Sequence, residues 1–288
     1  MTTYRPDPID GISAQRIVLR ERVPDDGVVY LAAAAGDSPF APGTVLPAGS
    51  TLPRAIPAWF HPRVGREPQR LLNLDIPVVA ETEDVLVVDK PHGLPSTPNG
   101  QFMRACVQTM LRVRREEPDL VAIHRLDRLT GGLLVLSRRP RTRGALQTQF
   151  QRREVHKTYH ADSTVYLPGH EAWVHYAVGM AKIAHDPQVK VSEGIGKQTK
   201  TWVRLLGPVA SERKNQPPRW RYEVRPTTGH THQIRALMNY LGAPIVGDDT
   251  YPEYKPRPAD QLEPRLGLRA VELSLKLPDG ADGQFRTH

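Results

Sequence analysis

Twenty-eight prolines in a chain of 288 residues restrict where long regular elements can form. Each proline fixes its own φ and lacks the amide donor that helix interiors and inner strands need. Up to about Asn73 the breaks come close together, in "VPDDG", "APGTVLPAGSTLPRAIP" and "HPRVGREP", and no helical period survives more than a few residues. Residues 1–75 are therefore expected to form a short N-terminal extension of small strands and turns, without an independent core. Residues 76–288 are expected to hold the main domain, which is long enough to bury a sizeable core.

Beyond that point the apolar residues fall into recognisable periods. "IPVVAETEDVLVVDKP" reads as strand, tight turn and strand, stopped by Pro91 and Gly93. "FMRACVQTMLRVRREEP" puts Met103, Cys106, Val107, Met110 and Leu111 on one helical stripe, with Arg104, Gln108, Arg112 and Arg115 opposite. "GGLLVLS" is a short buried strand, "RGALQTQFQRRE" an amphipathic helix and "HKTYHADSTVY" another strand. In "RWRYEVRP", Trp220, Tyr222 and Val224 alternate with Arg221, Glu223 and Arg225, the period of a half-exposed strand. "THQIRALMNYLG" reads as a helix capped by Thr231 and closed by Gly242. Strands and helices do not alternate regularly, so the pattern predicts an α+β fold. Its sheet should be mixed and largely antiparallel, flanked by helices and not doubly wound.

Charge and cysteine content narrow the function classes. Lys and Arg number 39 against 31 Asp and Glu, a net charge of +8 that favours an anionic partner, most simply a phosphate backbone. The one cysteine, Cys106, excludes an intramolecular disulfide and a cysteine-rich zinc site, and fits a reducing cytosol. The start lacks an apolar leader core, and no run approaches the ~18 apolar residues of a membrane span, so a cytoplasmic protein is expected. "HEAWVH" spaces His170 and His175 five apart instead of the four that zinc proteases use, and His230 with His232 has no obvious third ligand. No G-x-S-x-G elbow and no fixed-period repeat are present.

What remains is an acid among arginines. In "AIHRLDRLTGGLLVLSRRP", Asp127 lies between Arg125 and Arg128, just before a Gly-Gly turn. An ion pair at the surface and a reacting group presented on a loop between two buried segments both fit that placement.

The stretch "HRLDRLTGGLLVLSRRP" resembles the signature of the RluA-type pseudouridine synthases, H-R-L-D followed by two variable residues, T, a small residue, G and an apolar strand. Three more segments are similar to the family's motifs and stand in its order. They are "EDVLVVDKPHGLPSTPNG", "QFQRREVHKTYHA" and "RPTTGHTHQIRALMNYLGAPIVGDDTYP", which carry the resemblance from about Ile76 to Tyr254. Gly131 stands where Ser, Thr or Ala is usual, and His230 where the family commonly has Arg, which implies one phosphate contact fewer.

The resemblance implies a pseudouridine synthase catalytic domain over 76–288. The implied reaction isomerises uridine within an RNA chain: the N1–C1′ bond breaks, the base turns, and C5 joins C1′. Asp127 is then the essential carboxylate, as nucleophile at the sugar or as base at C2′. Arg235 is its cationic partner, and Tyr159 packs on the detached uracil. Arg125 is expected to fill the space left by the flipped nucleotide. Arg128, Lys157 and His232 join it as RNA contacts, with Arg138, Arg139, Arg152 and Arg153 as further phosphate candidates. No metal or organic cofactor is implied, because the reaction is redox-neutral. The expected partner is structured RNA, rRNA or the tRNA anticodon stem-loop or both, acted on by a monomer with no protein partner. Residues 1–75 would be a degenerate or replaced RNA-binding module. A catalytically silent RNA-binding or ribosome-assembly protein is the alternative from another class.

Overall fold

The computed structural model describes residues 4–33, 38–194, 196–210 and 218–287. They fall into two compact units, Met1–Glu67 with Pro98–Pro118, and Pro68–Thr97 with Asp119–His288. The single cut near residue 75 does not anticipate that Pro98–Pro118 folds with the N-terminal residues.

In the first unit, β1 (Gln15–Leu19), β2 (Tyr30–Ala32), β3 (Val45–Leu46) and β4 (Ile56–Phe60) form an antiparallel sheet in the order β1-β4-β2-β3. The strands are short and separated by turns, as the prolines dictate. The expectation that they lack a core is corrected: Leu19, Val23, Tyr30, Leu46, Leu52 and Ile56 are buried together. Proline interrupts helices but does not prevent alternate residues of short strands from meeting on one face. Helix α1 (Gln69–Leu72) opens the second unit, whereas α2 (Val107–Arg114) belongs to the first. Both faces of α2 are covered, since Gln108 and Arg112 are buried with Val107 and Met110. Arg112 lies inside because its guanidinium donates to the Gly11 carbonyl at 3.1 Å and to Ser13 Oγ at 2.8 Å. Glu67 accepts from the amides of Met103, Arg104 and Ala105 at 2.9, 2.9 and 2.6 Å, which fixes the entry to that helix.

The second unit holds β5 (Val78–Glu81), β6 (Val85–Lys90), β7 (Val121–Ala122), β8 (Gly131–Ser137), α3 (Pro140–Arg152) and β9 (His156–Ser163). It continues with β10 (Val174–Lys182), β11 (Val189–Ser192), β12 (Lys197–Val209), β13 (Arg219–Pro226), α4 (Gln233–Tyr240), β14 (Leu268–Lys276) and β15 (Asp282–Arg286). These strands make one large sheet in the order β11-β10-β12-β13-β9-β14-β8-β6-β5, with β15 on β14 and β7 on β8. Among the described strands only β14 and β8 run parallel, so the sheet is mixed and largely antiparallel as expected. No helix among the described residues is long and apolar enough to cross a membrane.

Helix α4 packs its Ile234, Leu237 and Met238 on Tyr222, Val224 and Val203 of the sheet, in the core that also holds Tyr159. Its expected cap is corrected from Thr231 to His232, a left-handed residue whose side chain makes no capping bond. The preceding turn is closed instead by Gln233, whose Oε1 accepts from Thr228 Oγ1 at 2.9 Å and from the His230 amide at 3.1 Å. A second correction concerns Glu223, which the alternation put on an exposed face and which is buried beneath Arg204 and Arg225.

Gly132 sits at φ +106 where β8 meets β14, and a Cβ there would overlap the backbone of Ala270. Only glycine combines that φ with so close an approach. Gly132→Ala should lose about 3 kcal/mol of stability in urea unfolding. A loss below about 0.5 kcal/mol would contradict the close approach.

Candidate active site

The loop between β7 and β8 carries Asp127, and the turn after β6 holds that loop in place. Ser96 Oγ donates to the Leu126 carbonyl and accepts from the Leu126 amide, both at 3.0 Å. The Gly93 amide donates to the Arg128 carbonyl at 3.0 Å. Lys90, fully buried, donates from Nζ to the carbonyls of Leu94 at 2.6 Å and of Pro91 and Arg128 at 3.1 Å. The "DKPHGLPS" segment is thus a clamp on both sides of Asp127. Sequence reasoning placed this segment as a motif but assigned no role to Lys90 or Ser96.

Burial brings the Lys90 ammonium down to about 7 against the pull of the Asp127 charge. In the unfolded chain it returns to the ordinary lysine value near 10.5. Between those values the unfolded state binds more protons, so this group makes the protein more stable as pH rises. Relative to Lys90→Met, wild-type unfolding free energy should climb between pH 7.5 and 9.5 by up to ~1.4 kcal/mol per pH unit. A slope identical in the two proteins would show that Lys90 stays charged.

Asp127 opens onto a cleft of about 500 Å³. From the loop come Arg125 and Leu126, from β9 and the residues before it Val155, Lys157 and Tyr159, and from the turn before α4 residues 226–232. Among the described lining residues Asp127 is the only carboxylate, and Arg125, Arg153, Lys157 and Arg235 surround it with positive charge. Asp127 Oδ2 is 3.4 Å from Arg235 Nη1 and 3.9 Å from His232 Nε2.

Arg235 is itself anchored from behind. Its Nε and Nη2 donate to the two oxygens of Asp248 at 2.8 and 2.6 Å, and Nη2 also reaches Asp249 at 3.1 Å and Thr250 Oγ1 at 2.8 Å. Asp248 is fully buried and accepts from the amides of Thr250 and Tyr251 at 2.8 and 3.1 Å. The bidentate pair leaves Nη1 for Asp127, so the guanidinium plane fixes the direction in which the acid is held. Burial would lower the Arg235 value, but Asp248 and Asp127 outweigh it and raise it, so the cation is permanent. Asp248, Asp249 and Thr250 were visible only as letters of the long C-terminal motif.

Tyr159 is buried at the back of the cleft, and desolvation with the nearby Asp127 charge pushes its phenol well above the ordinary range. It therefore stays protonated at neutral pH. Burial holds Lys157 below its ordinary value, and it holds His232 below its own despite the pull of Asp127. His124 accepts from the Val135 amide at 3.1 Å and stacks on Phe150 with ring centroids 4.6 Å apart. Burial brings its imidazole down to about 3, so a neutral ring supports that wall of the cleft.

The structure brings Asp127, Tyr159, Arg235, Arg125, Lys157, His232 and Arg153 to one cleft. It does not bring Arg128, which turns to Asp249 at 3.8 Å and to the Ala259 carbonyl at 3.4 Å. Arg138 pairs with Glu81 and Arg139 with Glu83, outside the cleft lining.

Residues 84–240, more than half of the chain, match the RNA pseudouridylate synthase family. The chain belongs to that family. It is 36% identical over 201 residues to the dual-specificity RNA pseudouridine synthase RluA of Vibrio parahaemolyticus, covering 70% of this chain and 78% of that protein. With the RluA of Salmonella typhi it shares 31% identity over 204 residues, covering 70% and 87%. The solved structure of human RNA Pseudouridylate Synthase Domain Containing 1 shares the fold, with a TM-score of 0.61 at 22% identity over 77% of this chain and 86% of that one. Family membership makes the chain an isomerase whose substrate is RNA.

Proposed function

We propose that this cleft isomerises uridines of large-subunit rRNA and of the tRNA anticodon stem-loop, with Asp127 as the essential carboxylate. The observation that carries the reading is that Asp127 is the single carboxylate among the described lining residues of the cleft, with Arg125, Arg153, Lys157 and Arg235 around it. A retaining glycosidase needs a second acid about 5 Å away, and among the described lining residues there is none. A silent RNA-binding protein needs the cations but not a carboxylate facing them, which would repel phosphate.

Asp127 acts at C1′ as nucleophile or at C2′ as base, and Arg235 holds it in position throughout. The N1–C1′ bond breaks with its electron pair going to the uracil, which then turns. C5 then bonds to C1′, which breaks the Asp127–C1′ ester on the nucleophile route or draws the C2′ proton back from Asp127 on the base route; the C5 hydrogen leaves as a proton and N1 ends protonated, so atoms and electrons balance. Tyr159, which lines the cleft, packs on the turning base and enters as a phenol. Arg125, exposed at the rim, takes the place of the flipped nucleotide, while Lys157, Arg153 and His232 hold phosphates around it. Loops are the favoured targets because their bases leave the stack at low cost. The protein works as a cytoplasmic monomer. The test is release of tritium from rRNA and tRNA transcripts labelled at uridine C5, without added metal or nucleotide. Release from either RNA supports the reading, and RNA binding without release from both overturns it in favour of the silent binder.

A further inference from the structure

The sheet has a second face, and it is built differently from the cleft side. Successive side chains of a strand point to opposite faces, so register decides which residues share one. Tyr159 is paired with Val224 on the cleft side, and the residues next to them point away. On that opposite face His175 lies across from Trp202, and Trp202 across from Arg225. Two residues along, Arg204 lies across from Glu223, Glu223 from His160, and His160 from Arg269. Lys200 precedes Trp202 on the same face of β12 and is exposed. Helix α4 covers the cleft side, where its partners are Val203, Tyr222 and Val224.

The rings and charges here are arranged outward. Trp202 is 40% exposed and lies 4.6 Å from the His175 ring. The Trp173 ring contacts the guanidinium groups of both Arg204 and Arg225, at 4.7 and 4.6 Å. Glu223 accepts from both arginines at 2.5 Å and is only 8% exposed, whereas Arg204 is 36% and Arg225 49% exposed. The carboxylate lies beneath and the cations above it. An exposed tryptophan and a ring in contact with guanidinium groups, beside outward Lys and Arg, are what base stacking and phosphate contact require.

We propose that this face, built from β10, β12 and β13, holds a single-stranded stretch of the RNA outside the target loop. The inference rests on RNA being the substrate, but it adds a surface that the cleft does not include. Charge decides the occupant, because the outward groups are cationic and the acids that share this face, Glu223 and Asp162, are buried and already paired with Arg204, Arg225 and Arg221.

The test uses the full chain with Trp202→Ala combined with Lys200→Gln, and Trp202→Phe as the conservative variant. Each is assayed on a minimal stem-loop and on a long rRNA transcript, by tritium release and by filter binding. For the double variant, KM and Kd for the long RNA should rise about tenfold, with kcat and all stem-loop constants unchanged. Trp202→Phe should keep the long-RNA affinity within about threefold, because a phenyl ring still stacks. Unchanged affinity for long RNA would overturn the proposal and leave the face to a protein partner. Equal losses on both RNAs would overturn it too, since the effect would then run through the cleft. Should the wild type release no tritium from either RNA, the catalytic reading fails, and the binding arm still decides whether this face holds RNA.

Discussion

Asp127→Asn is expected to lower tritium release from C5-labelled RNA by about 10⁴-fold or more while leaving the fold intact. The asparagine keeps the shape of the side chain but is neither a useful nucleophile nor a base. Its loss of charge is tolerated because the Asp127 side chain is 31% exposed and Arg235 retains Asp248 and Asp249. Unfolding free energy should therefore stay within about 1 kcal/mol of wild type. RNA affinity should hold or rise slightly, since the one carboxylate facing the phosphates is gone. Residual activity within tenfold of wild type would remove Asp127 from the chemistry altogether.

Arg235→Met should damage both stability and turnover. Asp248 is fully buried, and its two oxygens lose the bidentate partner that compensates their desolvation, leaving only the Thr250 and Tyr251 amides. Breaking a buried pair from one side costs about 3–5 kcal/mol. Asp248→Asn is the informative contrast: it keeps the shape, and it should cost less stability than Arg235→Met because no unpaired charge is left behind. With the guanidinium anchored less firmly, kcat should fall while KM changes little, because Asp248 lies behind the arginine and does not line the cleft. Urea unfolding of both variants, together with kcat and KM from tritium release, separates the two effects. Equal stability of Arg235→Met and wild type would mean that the arginine does not neutralise Asp248.

Much of this protein was legible in its letters. The alternation in "RWRYEVRP" and the apolar run of "GGLLVLS" specify strands because a period of two, or a short continuous apolar run, has few other ways to be buried. The order of four motifs pointed to the loop that carries Asp127, because the letters within each motif are neighbours in sequence. Contacts between distant parts of the chain left no such trace. Lys90 reads as the charged end of a strand, yet it lies fully buried because three carbonyls from two loops converge on it. Arg128 looks equivalent to Arg125 in sequence, and only the tertiary placement of Asp249 turns it away from the cleft. Asp248 could not be told from any surface acid until α4 brought Arg235 against it. Glu223 sat on the polar side of an alternating strand, and its burial follows from Arg204 across from it on β12 and Arg225 two residues along on β13 itself. Local periodicity and motif spacing determined the elements and singled out the proposed reacting group, because both are set by neighbours in sequence. Which charges are buried, paired or left facing RNA was decided by the sheet, because a charge's energy depends on what surrounds it in space.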